Sequence, residues 1–129
     1  MQRHKLGTLA GGIAGLEDIC SLLAIGVDPD SDPVNYDVVG TDLTGAPIEA
    51  GFGTTAWRWS VMPQSDYQYL LDFIAATGSG NVTIRTKKQT GASGYDFGNY
   101  TAVMKRPTAN QEGLLQRNVV VEFVHLVAI

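Results

Sequence analysis

Charged residues are scarce in this chain, at 17% of 129 residues against about 25% in typical soluble proteins. Such a fraction is typical of a chain that covers much of its surface with other protein. Cysteine occurs once, at Cys20, which excludes a disulfide framework and a CxxC site. The chain begins at Met1, and Glu17 and Asp18 interrupt the early apolar run before it reaches the roughly 20 residues of a membrane helix. We therefore expect a single soluble domain over 1–129, made in the cytoplasm, without a signal peptide.

Catalytic motifs are also missing. There is no GxSxG elbow, no phosphate-binding GxxxxGK[ST] loop and no GxGxxG before a helix. His4 and His125 are the only histidines, and a Ser-His-Asp set would need His125, which lies on a mostly apolar final strand. We interpret His125 as a structural or interface histidine. The sequence predicts no catalytic residue, no cofactor and no metal ligand.

An acidic loop is the nearest approach to a metal motif. Asp28, Asp30 and Asp32 have the alternate spacing that opens an EF-hand calcium loop. The sixth position, however, is Pro33 where glycine is required, and the twelfth is Val39 where glutamate is required. This departure favours an exposed acidic loop over a calcium site.

Charge is divided unevenly along the chain, whose net charge is −4. Residues 1–50 contain two basic and eight acidic residues, a net charge of −6, whereas residues 51–129 contain seven basic and five acidic residues, a net charge of +2. The acidic total disfavours a general nucleic-acid-binding surface. The division allows the acidic part of one copy to face the basic part of the next, although chance and one acidic loop explain it equally well.

One amphipathic helix is predicted over about 64–77. Ser65 is placed as its N-cap and Gln68 completes a capping box, while Gly78 is placed as the residue that ends it. Its apolar stripe comprises Tyr67, Leu70, Leu71 and Ile74.

Alternating residues predict strands before and after this helix, over 34–39, 55–62, 81–88, 100–106 and 118–127. In these strands Trp57, Trp59 and Val61 share one face, and Val82 and Ile84 point inward. The last strand is apolar on both faces except at Glu122 and His125, which is typical of a strand covered on both sides. The pattern indicates an α+β, mostly β fold: an antiparallel sandwich or barrel with one flanking helix.

The remaining segments are less regular. The glycine-rich residues 1–15 predict an extended arm, and 16–27 fits a helix or a buried strand equally well. Loops are predicted over 40–54, with a turn at 45–47, and over 108–117. The connector 89–98 exceeds the two to five residues of simple hairpins, so we expect it to contact something.

Basic and aromatic side chains suggest two readings of the surface. The basic residues could bind single-stranded nucleic acid beside the aromatic ones; the favoured alternative is that they contact acids on a neighbouring copy. Trp57 and Trp59 are expected in the core, with a ligand-binding or interface face as the alternative. The predicted assembly contacts are Arg85, Lys87, Lys88, Tyr95, Phe97, Lys105 and Arg106.

Several segments together resemble small tail proteins of bacteriophages. They are Trp57-Arg-Trp59, the helix 65–78, Val82–Thr86, Tyr100–Pro107 and the valine-rich final strand, and the resemblance covers about residues 34–128. It implies a β-sandwich or barrel subunit of a virion tail, whose hexameric rings stack into a tube.

The resemblance also implies partners. They are further copies of the chain, other tail proteins and DNA in transient, non-specific passage, with no membrane; residues 1–15, 40–54 and 89–98 would join rings. Alternatives are a distal-tail, tail-terminator or head-tail connector ring and, from another class, a monomeric ligand-binding β module. Tube lumens in this family are usually acidic, which makes five residues candidate lumen or interface acids: Asp28, Asp30, Asp32, Asp37 and Asp42.

Overall fold

A computed structural model describes residues 4–31, 33–41, 43–45, 47–89 and 95–129. Side chains within 36–42, 46–52 and 89–95 are outside this description. A single turn of 3-10 helix spans Ile13–Gly15. The helices are α1 (Ile19–Leu22) and α2 (Gln64–Thr77), and the strands are β1 (Lys5–Thr8), β2 (Glu17–Asp18), β3 (Asp30–Ser31), β4 (Asn35–Thr41), β5 (Pro47–Pro63), β6 (Asn81–Gln89), β7 (Tyr95–Met104), β8 (Thr108–Glu112) and β9 (Leu115–Ala128).

The nine strands of the described residues belong to one antiparallel sheet. Its order is β2-β1-β6-β7-β9-β5-β3, with β4 added to β5 and β8 added to β9. This confirms the mostly antiparallel β fold with one long helix. Within the described residues the terminal strands β2 and β3 do not pair with each other, so the sheet is open rather than closed into a barrel.

The core lies against the centre of this sheet, where β5 pairs with β9. Trp57 and Trp59 alternate inward, as predicted, and are 1% and 4% exposed. The Trp57 ring packs against Phe123 of β9, with ring centroids 4.7 Å apart. Val61 is only partly buried and its neighbour Met62 is fully buried, because α2 covers the other face at this end of β5.

Helix α2 has the predicted extent but not the predicted cap. Gly78 ends it in the left-handed conformation, at φ 71°. Pro63 occupies the N-cap position without a side-chain cap, so the predicted Ser65 capping box is wrong. The Gln64 N–H at the helix start instead donates to the carbonyl of Leu114, 3.0 Å away. A carbonyl from a distant turn thus replaces the local cap.

The predicted apolar stripe of α2 is largely correct. Leu70 is fully buried, and Tyr67 and Ile74 pack against the core. Phe73, which the predicted stripe omits, packs there too.

Within the described residues, the predicted extended arm over 1–15 is correct only for Lys5–Thr8, which form a strand of the sheet; residues 9–15 form turns and the 3-10 helix instead. β1 pairs with β6 over four residues, from Lys5 opposite Arg85 to Thr8 opposite Val82. Leu6 is 1% exposed and belongs to the core. The segment 16–27, left open between helix and strand, forms the short β2 and α1 and then an irregular turn.

Three predicted loops contain strand. Residues 47–54 extend β5 and pair with β4, and 108–117 form the β8–β9 hairpin. Gln89 pairs with Tyr95, so the 89–98 connector shortens to 90–94, which lies outside the described residues. These segments are polar or glycine-rich and show no apolar alternation, so the sequence pattern did not predict strands. They form strands because a neighbouring strand supplies backbone hydrogen bonds.

β9 is buried mainly on one face, so the prediction that both faces are covered is wrong. Val119, Val121 and Phe123 are buried, whereas the outward Glu122 is exposed. The pairing between β5 and β9 shifts by one residue between Gly53 and Thr55. The extra residue is on β9 and forms a bulge, where His125 has a positive φ of 54°. The extra residue returns Leu126 to the core face.

Candidate functional site

The predicted basic residues form two groups rather than one patch. Lys87 lies opposite Phe97 and Lys88 opposite Asp96 in the β6–β7 hairpin. Arg85 donates to the side-chain oxygen of Asn99 at 3.2 Å. Lys105 and Arg106 follow β7 at the other end of the hairpin, about 20 Å along the strand from Arg85. The Lys105 ammonium lies 3.8 Å from the Glu122 carboxylate.

Only two of the predicted acids have described side chains, Asp28 and Asp30, and both border one small cavity. Asp30 is exposed on β3, but Asp28 is bonded within the chain. Asp37 lies in β4, although its side chain is outside the description, as is that of Tyr95 in β7. Asp32 and Asp42 lie outside the described residues. A common acidic surface therefore stays a prediction.

A hydrogen-bonded group around His4 is a feature that sequence reasoning missed. His4 Nδ1 lies 2.7 Å from Asp28 Oδ2, and His4 Nε2 lies 2.7 Å from Ser31 Oγ. Because a carboxylate only accepts, we assign the proton to Nδ1, which leaves Nε2 to accept from the serine hydroxyl. The His4 backbone N–H also donates to Asp28 Oδ1 at 3.2 Å, and the Cys20 thiol donates to the same oxygen at 3.8 Å. No periodic signal points to it, because 24 and 27 residues separate His4 from its two side-chain partners.

Burial holds this histidine neutral. His4 is 2% exposed, and its ring meets the edges or faces of Trp57 and Phe97 with centroids 5.2 and 5.0 Å away. Burial lowers the pKa of His4 below 6.5, and the charge of Lys87 lowers it further. The hydrogen bond and charge of Asp28, and more weakly Asp30, raise the pKa of His4 without overcoming the effect of burial.

The hydrogen-bonded series Asp28–His4–Ser31 has the connectivity of a hydrolytic triad, but it lies against the protein core. Ser31 lies directly opposite Trp57 in the β3–β5 pair, so both side chains occupy the same, buried face. Asp30, opposite Arg58, faces outward toward a cavity of about 210 Å³ that Asp28 also borders. Neither His4 nor Ser31 lines that cavity. The group joins β1 to the start of β3 and presents no serine to a substrate there.

The two tryptophans are core residues rather than an exposed aromatic face. Their indole N–H groups are satisfied internally: that of Trp57 donates to Thr86 Oγ1 and that of Trp59 to the Val27 carbonyl, each at 3.0 Å. Both rings lie in the core, which confirms the expected core packing, and Trp59 also borders the cavity beside Asp28 and Asp30.

Large apolar side chains are exposed at two hairpin turns. Leu43, between β4 and β5, is fully exposed, and Leu114, between β8 and β9, is 85% exposed. An apolar groove of about 460 Å³ lies elsewhere, between the turn after β1 and the last turns of α2. Leu9 on its wall is 46% exposed. Solvent-exposed leucines at turns and an open apolar groove are features that contacts between proteins commonly cover.

Comparison with known proteins finds no matching family, no matching curated protein and no matching solved structure. Within the described ranges, no helix is both long and apolar enough to cross a membrane. The same part of the chain contains no cluster of three or more His, Cys, Asp or Glu side chains that could hold a metal ion.

Proposed function

We propose that this chain is a non-enzymatic structural protein of a virion, which assembles into stacked, hexameric rings that form a bacteriophage tail tube for DNA passage. One observation carries the proposal: the chain is an open antiparallel sheet whose hairpin turns expose leucine side chains. Exposed sheet edges and large apolar side chains favour association, because pairing and burial remove both from water.

Hairpins that extend beyond the sheet support assembly. The pairs from Thr86–Gly98 to Gln89–Tyr95 form the outer part of the β6–β7 hairpin. They lie beyond the residues of β6 that pair with β1 and beyond the residues of β7 that pair with β9. β9 pairs with β5 only as far as Gly53, so the part of the β4–β5 hairpin nearer its turn extends beyond β9. Among the described strands β4 pairs with β5 alone. Such extensions offer backbone and side-chain contacts to adjacent copies, as the ring-joining loops of the tail-protein resemblance would.

The division of charge supports head-to-tail contact between copies. A ring needs two unlike, complementary patches on each subunit. The net charge is −6 over residues 1–50 and +2 over residues 51–129, so the chain carries groups of both signs for contacts with another copy. The burial of Trp57 and Trp59 removes most of the aromatic surface that the monomeric ligand-binding alternative would use.

The decisive experiment is light scattering with negative-stain microscopy of the purified native chain over a range of protein and salt concentrations. We expect rings or tubes many times the 13.8 kDa of one chain. Tubes support the tube assignment, whereas isolated rings that never stack favour a distal-tail, terminator or connector position. A monomer under every condition contradicts the proposed assembly.

A further inference from the structure

We propose that His4 is a pH-sensitive switch, which holds the two ends of the sheet together while its ring is neutral and lets them separate when the ring is protonated. We call the junction between these ends the seam. It lies between the outer part of β6, at Thr86 and Lys87, and the segment 28–34, and the His4 ring is packed beside it. The inference concerns a single copy of the chain and does not rest on self-assembly.

The seam joins strands that are far apart in the order of the sheet. β1 and β6 lie toward one end of that order, and β3 lies at the other end. Even so, the backbone N–H of Val34 donates to the Lys87 carbonyl at 3.0 Å, and the indole N–H of Trp57 on β5 donates to Thr86 Oγ1, also at 3.0 Å. The sheet therefore curls until its ends meet, although within the described residues no ladder of paired strands joins them.

The side chain of His4 connects the two ends of the sheet. His4 comes directly before β1, and its Nε2 lies 2.7 Å from the hydroxyl of Ser31 on β3. Its Nδ1 lies 2.7 Å from Asp28 Oδ2, in the turn that leads to β3. The ring also packs against Trp57 on β5 and Phe97 on β7, with centroids 5.2 and 5.0 Å away. One side chain thus contacts both ends of the sheet where backbone pairing between them is missing.

The surroundings of the ring fit its neutral form. With one proton on Nδ1, the ring accepts the Ser31 hydroxyl at Nε2. Protonation at Nε2 places a second donor there, so the hydroxyl must turn its own proton away from the ring. His4 is 2% exposed, and a charged ring at this position is largely withdrawn from water. Separation of the seam hydrates that charge, so protonation favours the open form.

The charges that face the ring do not offset its burial. Asp28 and, more weakly, Asp30 on β3 favour the protonated ring, whereas Lys87 on β6 disfavours it. The Asp28 side chain is 35% exposed, so water weakens its attraction for the ring. Helix α1 contributes the Cys20 thiol, 3.8 Å from Asp28 Oδ1, and β5 and β7 present aromatic rings. Burial is the largest effect, and the pKa of His4 is lowered.

The size of the effect follows from proton linkage. In the open form His4 binds its proton with the ordinary pKa of about 6.5, and in the closed form it binds with the lowered pKa. Between these two values, the ratio of open to closed molecules should rise by up to about tenfold for each pH unit of acidification. β9 pairs with strands on both of its sides, so its amides report on the sheet apart from the seam.

Hydrogen exchange followed by NMR, corrected for the intrinsic effect of pH, tests the switch between about pH 7.5 and about pH 5, above the range in which carboxylates titrate. We expect the protection of the Val34 amide to fall by up to about tenfold per pH unit below about pH 6.5, while the β9 amides stay protected. The fall should level off where the His4 ring itself titrates. His4→Gln should abolish this pH dependence and identifies the His4 ring signal, because the chain has two histidines.

A second variant separates the charge of the ring from its hydrogen bond. Ser31→Ala removes the bond across the seam, so it should lower the protection of the Val34 amide by about fivefold at neutral pH and keep the pH dependence. Ser60→Ala, at an exposed serine of β5, is the matched control and should change neither. The proposal is overturned if wild-type Val34 protection is constant over this pH range, if its pH dependence persists in His4→Gln, or if the β9 amides lose protection in equal proportion.

Discussion

Asp66 is expected to hold the turn after α1 against α2, and its removal should destabilise the chain more than any other single carboxylate change on α2. The side chain is 3% exposed and accepts two backbone N–H groups, those of Ala24 and Ile25, each at 2.9 Å. It lies in the first turn of α2, where a negative charge also favours the helix. Leu23, next to these two residues, is buried in the core.

The expected magnitude follows from the two bonds. Each hydrogen bond to a charged acceptor contributes about 1.5–3 kcal/mol. Ala24 is exposed, so water can partly replace the lost acceptor, and the lower half of this range applies. Asp66→Ala should therefore reduce the free energy of unfolding by about 3–4.5 kcal/mol and lower the Tm by roughly 10–20 °C. Asp66→Asn retains one acceptor oxygen and should lose about half as much.

The assay is urea unfolding followed by circular dichroism, at a protein concentration where the transition does not depend on concentration. Asp72→Ala on the same helix is the matched control. Its carboxylate is exposed and accepts only from Gln68 at 2.9 Å among the bonds described, so the change should stay within about 0.5 kcal/mol. An Asp66→Ala variant within that same margin of the wild type would refute the reasoning.

Three further predictions concern the core and its turns. Because burial lowers the pKa of His4, the unfolded chain binds the proton more tightly, so wild-type stability should be complete above about pH 6.5 and fall as pH drops through the lowered pKa; His4→Gln should flatten this profile in urea unfolding at a series of pH values. Gly80 has a φ of 79° and an added Cβ would lie 2.9 Å from a backbone oxygen, so Gly80→Ala should cost about 2–4 kcal/mol in chemical unfolding, against about 1–2 kcal/mol for Gly113→Ala, which has open space at φ 63°. Thr86→Val removes the acceptor of a buried indole N–H and should cost about 1–3 kcal/mol by the same assay, and a loss below 0.5 kcal/mol would contradict that role.

Periodic segments were predictable because their pattern reports one buried face. Val82 and Ile84 alternate inward on β6 and both are fully buried. Gly78 ends α2 as predicted, because a left-handed residue there is accessible to glycine at little cost. These local preferences hold whichever segment packs against them.

Pairing between distant segments was not predictable in this way. β8 and the first half of β5 carry polar or glycine-rich residues and form strands because β9 and β4 supply their hydrogen bonds. The Ser65 cap failed for the same reason, since the Leu114 carbonyl reaches the helix start from 50 residues further along the chain. A local rule cannot include a partner that only the folded chain brings near.

The sequence by itself determined the class of fold, the extent of α2 and the inward positions of Trp57 and Trp59, since each depends on periodicity or on one residue's backbone preference. Only the tertiary structure decided that His4 bonds Asp28 and Ser31, and that an apolar groove forms where α2 meets the turn after β1. These features are contacts between remote segments. Their free energy arises from burial and hydrogen bonding that exist only after the sheet has assembled.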